Sequence, residues 1–445
     1  MKKAAICGVL ALMAVAGLAA GLFWLKPHSA ARQVLMLPNG QICRIAGETY
    51  GTNHVHGPLA ARVVHGLPRA VTNYVAKVAG NRLGKVQSFQ FSKPTLCIWL
   101  EPAGRGSFHP GGDTFAMLAD ETGEVAGASC RVGAMLLDFK VAPRRSRSLQ
   151  LCLFDATNSP PAELGRFQIP NPSYGRFPQW RPEPIPAVKM AGDLAVRLED
   201  LTVLENPEGA SPKSAGGVPA ASYGPVKGGN GPVTKFRLVL DSSPPDPARR
   251  WVIHEADLSD ATGNHLSLAE HTPSIRTSTT TEQGWFKGTL WPSEGAWRLK
   301  LQLKRGLPPN FLLPLKFEPS AFGFRPAEVI TFKNVPLGSL TTTIQTTNTE
   351  DLAKVELRVG TPTVGNPSFE ISWPANPEGV AVDLVSVASS TGERLNPLQL
   401  TTRAGWGAAG CITFMIVRTD AAAADITLAV QKTRSIEFFV RPPAP

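Results

Sequence analysis

Two histidines one residue apart, His54-Val55-His56, would place both imidazoles on one face of an extended strand, and His65 or His109 could add a third ligand for zinc. No cysteine or carboxylate stands at a spacing that completes such a set. We therefore read them as ordinary turn histidines and expect neither a metal nor a cofactor. Ser107 and His109 in GRGSFHPGGD offer a nucleophile and a base, but adjacency along the chain does not supply the convergent geometry that pair needs. The sequence contains no phosphate loop, no dinucleotide glycine fingerprint, no HExxH and no GxSxG elbow. The expectation is that the chain is not an enzyme.

Two other clusters suit binding better. The stretch GWFKGTLWPSEGAWR carries Trp285, Trp291 and Trp297, and flat aromatic faces can receive sugar rings, so Trp285 and Trp291 are candidate residues for a polysaccharide ligand. Trp297 opens an alternating strand, however, and core packing is the plainer reading of the cluster. PRRSRS places Arg144, Arg145 and Arg147 together, a loop able to meet an anionic partner such as a phosphate or a lipid headgroup. No aromatic residue interleaves these arginines as a stacking platform would, so the plainer reading is a solvated loop, and no nucleic-acid partner is expected.

The formal charge of +10 is unevenly spread, with +3 in residues 1–31, +6 in 32–155 and −2 in 336–445. The amino-terminal part of that excess belongs to an address. Lys2 and Lys3 precede an uncharged apolar run from Ala4 to Leu25, closed by Lys26. Such a run is long enough to cross a hydrocarbon layer of about 30 Å as a helix. Its length and its Phe23-Trp24-Leu25-Lys26 end favour a retained single-pass anchor with the amino terminus inside. If Ser29-Ala30-Ala31 is a cleavage site instead, the remainder is secreted or periplasmic. Either way the bulk of the chain is expected outside the cytoplasm. Cysteines 43, 97, 130 and 152 then either form one or two disulfides or are small buried residues, Cys97 and Cys152 lying in apolar strands.

These residues need elements to hold them. With 41 Gly, 40 Pro and 43% hydrophobic residues, the 445-residue chain reads as short strands and frequent turns around more than one core. One phrase recurs: GDTFAMLADETGEVA, VIHEADLSDATGNHL and AVDLVSVASSTGERL, whose glycines, Gly123, Gly263 and Gly392, lie 140 and 129 residues apart. Each copy reads as a strand entering a polar turn, with glycine free to take positive φ and short polar side chains capping the turn. Alternating strands flank each copy, as in Trp297-Arg298-Leu299-Lys300-Leu301 and Ile426-Thr427-Leu428-Ala429-Val430. The pattern resembles the immunoglobulin or fibronectin type III architecture, which implies a mainly β chain of three tandem antiparallel β-sandwiches.

The expected organisation is thus an anchor or signal at 1–31, and then a hairpin at Pro38-Asn39-Gly40, a short α segment near 58–79 and the first sandwich within 32–157. A Pro-rich linker follows at 158–186, a second sandwich at 187–335 with a mobile insertion at 206–232, and a third at 336–445. AFGFRP, residues 321–326, is read as an interdomain contact. The expected function is a non-enzymatic binding, adaptor or structural protein of the cell envelope, tethered to the membrane, with an envelope protein or polysaccharide as partner.

Overall fold

The computed structural model describes residues 34–36, 42–57, 87–102, 114–122, 125–126, 136–155, 162–204, 232–242, 251–275, 280–305, 328–337, 343–347, 355–363, 366–373, 379–393, 395, 397–403, 410–416 and 421–443. The expected anchor, the hairpin tip at 38–40, the α segment, Ser107, His109, His65, Cys130, the insertion at 206–231 and residues 321–326 lie outside them. The fold is mainly β, in several antiparallel sheets, and among the described residues no helix is long and apolar enough to cross a membrane.

The first group of strands is β1 (Val34–Met36), β2 (Ile42–His56), β3 (Gln87–Pro102), β4 (Thr114–Ala119), β5 (Val125–Ala126), β6 (Leu136–Phe139), β7 (Ser148–Asp155) and β8 (Ala162–Pro170). They form two sheets, ordered β1-β2-β3-β6 and β5-β4-β7-β8. Alternation turns Leu96, Ile98 and Leu100 of β3 and Leu149, Leu151 and Leu153 of β7 into one shared core.

The second group is β9 (Ala187–Ala191), β10 (Leu194–Leu204), β11 (Val233–Ser242), β12 (Trp251–Asp260), β13 (His265–Ile275), β14 (Thr280–Lys287) and β15 (Trp297–Arg305). Here β13 pairs with β12 through Leu266 and Ser267 and with β14 from Leu268 onward, so one strand carries the ladder round the core. The third group is β16 (Glu328–Pro336), β17 (Thr343–Thr347), β18 (Val355–Thr363), β19 (Asn366–Trp373), β20 (Val380–Ser389), β21 (Pro397–Arg403), β22 (Gly410–Ile416) and β23 (Ala423–Lys432). Its sheets run β16-β23-β20 and β17-β18-β19-β22-β21 around Phe332, Phe369, Ile371, Phe414 and Leu428.

The last strand, β24 (Arg434–Val440), leaves its neighbours. It pairs antiparallel with β15, from Trp297↔Val440 to Leu303↔Arg434, and buries Ile436, Phe438 and Val440 in the second core. Only Thr433 separates β23 from β24, so the chain passes from the third core to the second within one residue. The place beside β23 is filled by β16 instead, with Ala423 opposite Pro336. The two groups thereby exchange an edge strand: β16, which follows β15 in the chain, serves the third core, and β24, which follows β23, serves the second. In the first group no exchange occurs, because β8 returns to its own β7.

Two expectations change. The span 158–186 is not all linker: between its prolines, Phe167 and Ile169 are buried and alternate with exposed Arg166 and Gln168, which makes β8 a core strand. The sequence boundary at 336 also cuts across the exchange, since β16 belongs with the third core and β24 with the second.

The repeated phrase forms similar turns, of which the first is described only as far as Thr122. Asp120 Oδ1 accepts from Thr122 N at 2.8 Å and Oγ1 at 2.6 Å, and Asp260 Oδ1 accepts from Thr262 N at 2.9 Å and Oγ1 at 2.7 Å. Ser389 Oγ, in the third, lies 2.8 Å from Thr391 Oγ1 and accepts from Glu393 N at 3.0 Å. Gly263 and Gly392 have φ of 92° and 83°, and their N–H groups donate to Asp260 O and Ser389 O, closing the reversal.

Candidate functional site

The densest polar assembly in the described residues joins the first and second groups. Residues 140–147, between β6 and β7, carry Val141 into the second core and Arg144 into a buried niche. Arg144 Nη1 donates to Thr262 O at 2.6 Å, and its guanidinium lies 4.6 Å from the centre of the Tyr50 ring. Asn264 makes a matched pair of bonds with Ala142, accepting from its N–H at 2.9 Å and donating to its carbonyl at 2.8 Å. Asp260 organises the niche from below, with Oδ2 accepting from Asn264 Nδ2 at 2.8 Å. A polar side chain taken out of water is costly unless its bonds are replaced, and here most are.

The joint is reciprocal. Arg145 and Glu294 each stand three residues before the strand that follows them, β7 or β15, and they meet as a two-bond pair, Nε to Oε1 at 2.9 Å and Nη2 to Oε2 at 3.0 Å. Ala142 and Trp291 each stand six residues before those strands; Ala142 binds Asn264 of the second turn, and Trp291 Nε1 donates to Asp120 of the first turn at 3.2 Å. Positions at equal offsets from their strands thus bind the turn of the opposite group. Burial pushes the Glu294 carboxyl above its usual range despite Arg145, lowers the Arg144 pKa and raises that of Tyr50.

A second contact between these groups is titratable. Lys93 of β3 reaches Asp257 of β12 at 3.2 Å. Next to Asp257, burial raises Glu255 to about 7, helped by the Asp257 charge. Across the β12–β13 ladder, burial and then Lys93 lower His265 to about 4. Such shifts accompany functional sites and structural ion clusters alike; here burial at a joint is the main cause of both.

The two histidines of the first group sit where the β2–β3 ribbon bends at Gly51 and folds over the outer face of its own sheet. His54 Nε2 donates to Gly51 O at 2.8 Å, which leaves Nδ1 to accept from Thr49 Oγ1 at 2.8 Å, while Trp99 Nε1 donates to that hydroxyl at 3.2 Å. Burial lowers the His54 pKa and keeps this neutral form. His56 stacks on Trp99, 4.5 Å between ring centres, and lies 3.3 Å from Glu101, which also holds Arg44. Among the described residues no group of three or more His, Cys, Asp or Glu side chains is placed to hold a metal ion.

The sequence candidates are thus scattered. Trp291 is 2% exposed and Trp297 is fully buried, so both are core residues; Trp285 is half-buried on the outer side of β14, with Lys235 Nζ 5.8 Å from its ring centre. The arginine loop is not simply solvated, because Arg144 is buried and Arg145 is tied to Glu294; Arg147 is exposed, with its Nε donating to the Tyr174 hydroxyl at 3.4 Å. Cys97 and Cys152 are buried free thiols, and burial pushes Cys97 up to about 12. Sequence reading missed residues 171–186, which run from Asn171, bonded to Arg147 O, to Glu183, whose N–H donates to Phe439 O at 2.6 Å. Its one local signal was the alternation of Tyr174, Phe177 and Trp180 with Arg176 and Arg181 among prolines. Compared with protein-family models, with curated proteins and with solved structures, the chain gives no match.

Proposed function

We propose that this chain is an exported, membrane-tethered binding or adaptor protein of the cell envelope, non-enzymatic, in which three tandem immunoglobulin- or fibronectin III-like sandwiches are coupled to present a surface away from the bilayer. The observation that carries the reading is the coupling itself. The buried Arg144–Thr262 and Asn264–Ala142 contacts join the first and second groups, and the single-residue step at Thr433 binds the third to the second. The shifted groups found at the joint, Arg144, Glu294, Glu255 and His265, are engaged with or packed beside protein partners there, which suits a structural role for them. The tether rests on the apolar run from Ala4 to Leu25. Of the tryptophan pair expected to receive a polysaccharide, Trp285 alone retains an outward face, so that version is the weaker one.

Protease added to cells whose outer layers have been removed, leaving the cytoplasmic membrane closed, tests the location: residues after the anchor should be cut while a cytoplasmic marker survives. Full protection of the chain until the cytoplasmic membrane is opened would overturn the exported reading. A hydrolytic turnover abolished by changing one polar residue would overturn the non-enzymatic one.

A further inference from the structure

The arginine loop lacks interleaved aromatic residues in the sequence, yet the fold supplies them from elsewhere. Residues 171–186 lay Tyr174 beside Arg147, 5.7 Å from ring centre to guanidinium, and Phe177 beside Arg145 at 5.9 Å. Farther along, Trp180 stands 5.2 Å from Arg298 and packs edge-on against Phe439 at 5.3 Å. Arg145 donates to the carbonyls of Phe177 and Pro178 at 3.2 and 2.7 Å, which pins the middle of the segment. The result is a line of alternating cations and rings that begins at the first group and ends against β24.

Charge along this line is not balanced. Glu294 is held by Arg145, Glu183 by Lys189, and Glu121 by the Ser148 N–H and hydroxyl, while Glu437 faces Arg298 and Lys300. Arg147, Arg176, Arg181 and Arg441 are all exposed, and among the described residues none forms an ion pair. Arg147 has the Glu121 charge nearby, while Arg176, Arg181 and Arg441 have no ion-pair partner among the described residues; such guanidiniums attract an anion, and their planar forks suit carboxylate or phosphate oxygens. The nine residue steps from Tyr174 to Glu183 reach at most about 30 Å. The segment passes Arg147, Arg145 and Arg298 in turn, a track that suits a chain-like ligand. Tyr174 is 47% exposed and offers a face to a sugar ring, whereas the Trp180 ring packs edge-on against Phe439.

We propose that this stripe, Arg147, Tyr174, Arg176, Trp180, Arg181 and Arg441, is the binding site for a linear anionic polysaccharide, an inference that rests on the exported binding function above. The acidic groups of the polymer sit against the arginines, and apolar C–H faces of its sugars lie on Tyr174.

The test uses the full chain in neutral detergent and fluorescein-labelled polygalacturonate as the probe, read by anisotropy, with dextran and with phosphatidylglycerol vesicles as competitors. Saturable binding is expected, weakening steeply with salt, with polygalacturonate alone competing well. The triple variant Arg147→Gln, Arg176→Gln, Arg181→Gln should lose affinity at least about tenfold and flatten the salt dependence by roughly two to three charges. Tyr174→Ala should weaken binding severalfold and leave the salt slope in place, and Arg237→Gln, on exposed β11, should change nothing. The substituted arginines are in solvent, so an unchanged melting temperature is expected and checks folding. Undiminished binding by the triple variant overturns the stripe while leaving an exported binding protein intact. Equal competition by dextran or by the vesicles overturns the assignment to an anionic polymer. Shortening of the polygalacturonate chains would overturn the non-enzymatic reading itself.

Discussion

Gly263 and Gly392 occupy the same position in the same turn, and their surroundings separate two costs. Both have positive φ, which a β-carbon disfavours by about 1 kcal/mol. A methyl on Gly392 meets open space, whereas one on Gly263 would stand 2.9 Å from Arg144 Nη1, which Thr262 and Tyr50 hold in place. Gly263→Ala should therefore lower the melting temperature clearly more than Gly392→Ala in a thermal unfolding comparison. The Arg145–Glu294 pair makes a sharper test. Glu294 is 4% exposed at its side chain, so Arg145→Met strands a buried carboxylate and should cost about 2 kcal/mol, tempered because Arg145 is itself partly solvated. Adding Glu294→Met should recover most of that loss in denaturant titrations, because removing both charges removes the penalty.

For whole strands the exchange between β16 and β24 dominates. Phe438 is fully buried against the second core although it follows the third group in the chain. Phe438→Ala should cost about 3–5 kcal/mol. Amide exchange should quicken in β12 and β15 and stay slow in β20 and β23; the reverse pattern would contradict the pairing. Much at this level was legible beforehand. The Thr-Gly turns and the alternation of 297–301 and 426–430 are local, and local patterns state both the turn and the buried face. The partner of a strand is not local. Nothing in RSIEFFV says that its neighbour begins at Trp297 rather than in the strand just before it. β8 was hidden for another reason, since prolines on both sides masked its alternating middle. For the candidate site the arginines were visible, but Tyr174 and Phe177 reach them across about 30 residues of chain, beyond what spacing can report.

The whole molecule couples these joints to pH. Glu255 is held neutral up to about 7, so its contribution to stability is full below the ordinary carboxyl value of 4.5 and is lost as pH rises toward 7. His265 runs the other way: its contribution is full above the ordinary 6.5 and is lost as pH falls toward 4. Glu255→Gln should therefore raise the melting temperature at pH 8 more than at pH 4.5, because only at the higher pH must the native protein carry a buried charge there. The strand exchange also bears on the order of events during synthesis. At about 5–20 residues per second, the ribosome needs roughly 7 to 30 seconds to pass from the end of β15 at Arg305 to the end of β24 at Val440. Throughout that interval the second core has an open edge, with β15 presenting unpaired backbone groups to whatever strand comes near. The chain's middle thus matures after its own synthesis is over, and anything that guards a nascent polypeptide would have to guard this one longest at β15.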